Sequence, residues 1–85
     1  MARTRYQIFY EILQAIRDMG EFDVRVRAVL KKVSIQISYG DKYLEELKDL
    51  GFVTLGKPCF DQTVSLTPKA HQYIYRYQKV MKTME

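Results

Sequence analysis

Apolar positions along the chain change period several times, and each change marks an element. Tyr6, Phe9, Ile12, Leu13 and Ile16 recur at spacings of three and four, as on a helix with one buried face, and Met19-Gly20 ends the run. Thr4 offers a capping hydroxyl, so a first helix is expected over about 4–19. The next stretch reads two ways. Val24, Val26, Ala28 and Leu30 alternate with Arg25, Arg27 and Val29 as a strand would, yet Asp23 is a good N-cap and Ala28 to Lys32 has helical composition. A helix over about 24–32 is the expectation, burying Val26, Val29, Leu30 and then Val33. A third helix follows within Ile35–Leu50, with Leu44, Leu47 and Gly40 on one side. Leu50-Gly51-Phe52 is its stop: a last apolar residue, a glycine suited to the left-handed position, and a β-favouring aromatic.

Period two then takes over. Phe52-Val53-Thr54-Leu55 is a short strand, Gly56-Lys57-Pro58 breaks it, and Val64 and Leu66 alternate with polar neighbours in a second strand. The pair forms a hairpin over about 52–66, with Lys57 near its tip. Thr67-Pro68 opens the last helix, a capping residue followed by proline at the first helical position. Along about 68–84, Ala70, Tyr73 or Ile74, Tyr77, Val80 or Met81, and Met84 form a stripe of roughly seven-residue repeat. That helix is longer than a domain this small needs to cover its own hairpin. Its second half is therefore expected to pair with another chain, through Tyr73, Tyr77, Val80, Met81 and Met84.

The 85 residues fit one domain, and a chain of that size buries only about 60–65% of its unfolded surface. Its stability margin is thin, which favours self-association. One cysteine excludes an intrachain disulfide. Cys59 has no neighbour in sequence that would activate it, and a disulfide between chains would need an oxidising or hyperthermophilic setting. No apolar run approaches the roughly 20 residues of a membrane span, so an intracellular, cytoplasmic protein is expected.

A net charge of +4 and a pI near 9.3 permit a nucleic-acid partner without requiring one. The placement of the charges says more. Arg25, Arg27, Lys31 and Lys32 fall in one acid-free segment just before the third helix. The first half of that helix carries Gln36, Ser38, Tyr39 and Lys42 with one acid, Asp41, whereas Glu45, Glu46 and Asp49 crowd its second half. A polyanion would accept the first half and be repelled by the second. Arg3 and Arg5 read equally as a solvated tail or as an arm reaching for phosphate. Gly40 inside the helix costs about 1 kcal/mol relative to alanine, which close packing of the second helix, or an adaptable first turn, would explain.

Tyr43-Leu44-Glu45-Glu46-Leu47, Leu50-Gly51-Phe52-Val53 and Leu66-Thr67-Pro68-Lys69-Ala70 together resemble the winged helix-turn-helix of small archaeal DNA-binding proteins. The similarity runs from about Tyr6 to Met84. It is closest to the ten-kilodalton chromatin-type proteins, whose C-terminal helix dimerises, and to winged-helix regulators of crenarchaeal viruses and plasmids. The resemblance implies an α+β fold: three helices, a two-stranded wing and a C-terminal dimerisation helix. It also implies a homodimer on double-stranded DNA, in the cytoplasm or in that of a host. The third helix would lie in the major groove with its early residues on base edges. Residues 56–61 would touch the backbone or minor groove. Arg3, Arg5, Arg25, Arg27, Lys31, Lys32, Gln36, Ser38, Tyr39, Lys42 and Lys57 are the expected contacts. Spacing usual in that family, counted back from Leu44, puts the helix cap at Gln36, while Ser38 is the better cap by chemistry. Two departures, Gly40 in place of a larger apolar residue and a shorter last helix, favour a site-specific regulator over an architectural protein.

An enzyme is not expected. One His and one Cys, twelve positions apart, form no catalytic or metal-ligand spacing, and there is no glycine-rich phosphate loop. His71 reads as an exposed helical residue. No cofactor, membrane or small-molecule ligand is expected. The serious rival is a winged helix used only for protein contacts, which the acidic half of the third helix would serve equally well.

Overall fold

The computed structural model describes residues 4–56 and 62–84, and at residues 81, 83 and 84 the backbone alone. Helices α1 (Arg5–Asp18), α2 (Val26–Lys32) and α3 (Ile37–Asp49) precede strands β2 (Val53–Leu55) and β3 (Thr63–Leu66) and helix α4 (Pro68–Met84), with a short strand β1 (Val24–Arg25) between α1 and α2. This is a winged-helix arrangement, and its sheet has three antiparallel strands in the order β1-β3-β2.

The expected two-stranded wing is present as β2 and β3, and a third strand joins it, which moves the start of the helix expected from residue 24. Val24 and Arg25 pair with Val64 and Thr63, so the alternation at the start of that stretch belongs to a real strand and helix begins only at Val26. Asp23 does not cap it. Its φ is +50°, and its N–H donates to Ser65 Oγ at 2.9 Å, which anchors the turn to β3. Arg25 stands at the N-cap position without a side-chain cap.

Three helix ends share one stop. At α3, the Phe52 N–H donates to Leu47 O (2.9 Å) and the Gly51 N–H to Lys48 O (3.0 Å), with Gly51 at φ +84°. This paired closure around a left-handed residue satisfies carbonyls the helix leaves open. Glu21 and Gly20 close α1 onto Ile16 and Arg17 in the same way, and Ile35 and Ser34 close α2 onto Leu30 and Lys31. Thr4 caps the start of α1, accepting the Gln7 N–H at 3.1 Å.

The core is one cluster. Phe9, Ile12, Leu13 and Ile16 of α1 meet Val29 and Leu30 of α2, Leu44 and Leu47 of α3, Val53, Val64 and Leu66 of the sheet, and Ala70 and Ile74 of α4. Burial of a residue such as Leu47 is worth about 1.5–3 kcal/mol. Gly40 faces Leu30 so closely that a Cβ there would overlap both Leu30 methyl groups and lie 2.9 Å from Cγ. Close packing of α2 is thus the reason for the glycine.

Candidate nucleic-acid interface

Helix α3 starts at Ile37 with Gln36 as N-cap, and the Gly40 N–H donates to Gln36 O at 2.8 Å. Gln36 makes no side-chain capping bond, and the chemically better cap, Ser38, lies inside the helix. Gly40, Leu44 and Leu47 mark its buried side. Ser38, Lys42, Glu45 and Asp49, spaced four, three and four apart, share the opposite, exposed side. No acid occupies the first turn. Beyond it the balance reverses, with Asp41, Glu45, Glu46 and Asp49 set against Lys42 and Lys48. Lys42 itself lies in a shallow hollow with those four acids.

The cations of α2 do not act as one patch. Leu30, turned onto Gly40, marks the side of α2 that meets α3. Arg27 and Lys31 follow Leu30 round the helix on that flank, while Lys32 turns the other way into a hollow with Glu11 and Asp18 of α1. Arg25 is exposed on β1, opposite in phase to buried Val24.

Arg5 is not a free arm. It is the first residue of α1, and its guanidinium pairs with the Glu46 carboxylate and lies 5.6 Å from the centroid of the Phe9 ring. One acid of the far half of α3 is thereby offset from within the chain. Arg3, Lys57 and Cys59 lie outside the described residues, as do the side chains of Met81 and Met84.

The far end of α3 is held by α4. Lys69 Nζ donates to Leu50 O at 2.7 Å and sits 5.3 Å from the centroid of Phe52, and Thr67 Oγ1 donates to Gly51 O at 2.6 Å. Nothing in the local pattern around Lys69 marks it as a cap for a helix 19 residues earlier.

On α4, Tyr73 and Tyr77 have partners within the chain. Tyr73 tilts against Phe52 at 5.1 Å and donates its hydroxyl to Tyr6 O at 3.0 Å; Tyr77 stacks on Tyr10 at 4.3 Å. Burial raises the Tyr73 pKa above its usual value, and the neighbouring Tyr77 and Tyr6 add to this. Their outer edges still line an apolar hollow with Tyr6, Arg76 and Val80, and Tyr6 (67% exposed) and Val80 (58%) remain open to solvent. His71 is exposed on α4, with Nε2 3.2 Å from Glu21 Oε1.

Ile37 is the exposed residue that sequence reasoning passed over. It is 51% exposed and Tyr39, two residues on and on the far side of the same first turn, is 58% exposed. Ile37 is in phase with Gly40 and Leu44, so the sequence reads it as core; it stands exposed because the stripe runs past its packing partners at the first turn.

Among the described residues no cluster of His, Cys, Asp and Glu could hold a metal ion, and no helix is long and apolar enough to cross a membrane. Several solved structures share the fold. One is Sso10a-2, a DNA-binding protein from Sulfolobus solfataricus (TM-score 0.79, 18% identity, 96% of this chain and 82% of that one). Others are a MarR-family transcriptional regulator from Rhodococcus sp. RHA1 (0.74, 18%, 92% and 54%) and a protein from Pseudomonas aeruginosa PA01 described as a candidate transcriptional regulator (0.74, 20%, 98% and 60%). The chain thus spans little more than half the length of the latter two. No curated protein sequence matches it. The family model of the winged helix-turn-helix matches residues 2–85, and the chain belongs to that non-enzymatic family.

Proposed function

We propose that the chain binds double-stranded DNA sequence-specifically, as a transcription regulator acting inside the cell. In this reading the first turns of α3 enter the major groove and the wing tip at 56–61, with Lys57, touches the backbone or minor groove. The observation that carries it is the charge division of α3, an exposed, acid-free first turn followed by an acidic far half. Support also comes from the family and from the DNA-binding description of Sso10a-2. Gln36, Ser38, Tyr39 and Lys42 are the proposed base readers. Arg25, Arg27, Lys31 and Lys57 are the proposed phosphate contacts, with Arg3 a further candidate. Lys32, facing Glu11 and Asp18, is the weakest of the cations for that role, and Arg5 acts through Glu46 instead. Tyr39→Ala and Lys42→Ala should each cost about 1–3 kcal/mol of specific binding, measured by gel shift on a selected site. Unchanged binding by both variants would remove α3 from the groove. Replacing a true phosphate contact should lower the salt slope by about one unit, so Lys31→Ala should shift it and Lys32→Ala should not.

A homodimer through the second half of α4 belongs to the same reading. The apolar hollow is lined by Tyr6, Tyr73, Tyr77 and Val80, with Arg76 at its edge, and Met81 and Met84 are the further residues proposed for the interface. A two-fold protein on a two-fold site doubles the contacts, with half-sites about one helical turn apart or a multiple of it. The buried anchors Ala70 and Ile74 precede Tyr77, so truncation after Tyr77 should leave a folded monomer of weak DNA affinity. Sedimentation of the full chain as a monomer at tens of micromolar would exclude the dimer.

The acidic far half of α3 favours a second reading, a docking surface for a basic protein. Binding of that protein, with no affinity for DNA at low salt, would establish it.

A further inference from the structure

Between Val33 and Gly40 the chain carries no Lys, Arg, Asp or Glu. The element proposed to enter the groove first therefore has no cation in its leading turn, although Arg and Lys are the usual readers of guanine. It presents the Gln36 amide, the Ile37 side chain, the Ser38 hydroxyl and the Tyr39 ring instead. Gln36 holds the N-cap position, where a side chain ordinarily turns back onto the helix, yet it makes no such bond and is exposed. Ile37, next to it, is 51% exposed, and Tyr39 follows at 58%.

Two of these groups, the Gln36 amide and Ile37, match one kind of base pair. A glutamine amide pairs with adenine N6 and N7, and an apolar side chain packs on the thymine methyl group. Guanine shows only acceptors, O6 and N7, in the major groove. The first cation along the helix that could reach guanine is Lys42, ringed by carboxylates. We propose that the first turn of α3 reads A·T base pairs, with Ile37 packed on the thymine methyl group and the Gln36 amide on adenine. This rests on the DNA-binding reading above and narrows its ligand to duplexes with A·T pairs where the first turn meets the bases.

The test removes the methyl group and nothing else. The full chain selects duplexes from a randomised pool, and in the selected site each thymine is replaced in turn by uracil. At one thymine in each half-site, uracil should weaken binding about fourfold, the worth of one buried methyl-sized group. Ile37→Ala should weaken the thymine duplex by at least as much and bind the uracil duplex equally well. Gln36→Ala should lose preference for adenine in the same pair. A selected site with G·C at the positions contacted by α3, equal binding of uracil and thymine everywhere, or a uracil penalty that survives Ile37→Ala would each overturn the proposal while leaving specific binding intact. A pool that yields no preferred sequence would overturn both. Ile37 is half-exposed and outside the core cluster, so circular dichroism of the alanine variant should match the parent.

Discussion

The two ends of α3 are built in opposite ways. At the far end, Gly51 and Phe52 close the last turn, Lys69 and Thr67 reach across from the start of α4 to Leu50 O and Gly51 O, and Arg5 clamps Glu46 from α1. At the near end, Gln36 caps without a side-chain bond, and Ile37, Ser38 and Tyr39 stand in solvent. One end is fastened by three other segments, while the other spends its side chains on nothing within the described structure. Fixing the rear of a helix and leaving its tip unsatisfied is what presentation to a ligand requires: position comes from the rear and contacts from the tip.

Substitutions at the two ends should therefore have opposite signs. The largest effect is expected from Gly51→Ala. An added Cβ would meet Lys69 only at ordinary contact, 3.7 Å, so the cost is conformational. Holding alanine at φ +84° should lower stability by about 1–2 kcal/mol in urea unfolding. Gln36→Ser at the open end should instead raise stability, by roughly 0.5–2 kcal/mol, because serine can supply the missing cap. The same change should weaken DNA binding. A serine variant less stable than the parent would show that the first turn is already satisfied.

A smaller effect concerns pH. Tyr73 packs on Phe52 at the fastened end, and burial raises its pKa in the folded chain above the unfolded value of 10.0. Folding thus favours the neutral phenol. This contribution is fully present below pH 10 and is lost as pH rises through the raised folded value. Thermal melts should fall more steeply above pH 10 for the parent than for Tyr73→Phe.

The long elements were legible because their signals are local. Periodicity over Tyr6–Ile16, the Thr4 cap and Leu50-Gly51-Phe52 all act within a few residues, and the structure uses each as its chemistry suggests, except that Tyr6 of the stripe stands exposed. The stretch at Val24 was not, since its strand exists only through Val64 and Thr63, about forty residues away. A locally good cap, Asp23, lost to that tertiary pairing. The site divided along the same line. Exposure of Ser38, Tyr39 and Lys42 followed from helical phase, whereas the turning of Lys32 toward α1 and of Arg5 onto Glu46 depended on neighbours that no single-element pattern contains.

The seat of Leu30 on Gly40 has a thermodynamic consequence. With no side chain between them, Leu30 sits directly over the α3 backbone at Gly40, and the close approach of α2 and α3 depends on it. A ligand long enough to touch both helices meets a preset spacing, like the jaws of a fixed-gap caliper. It has no helix-to-helix rearrangement to order on arrival, so its binding should carry a small heat-capacity change, set by the surface it covers and not by refolding beneath it.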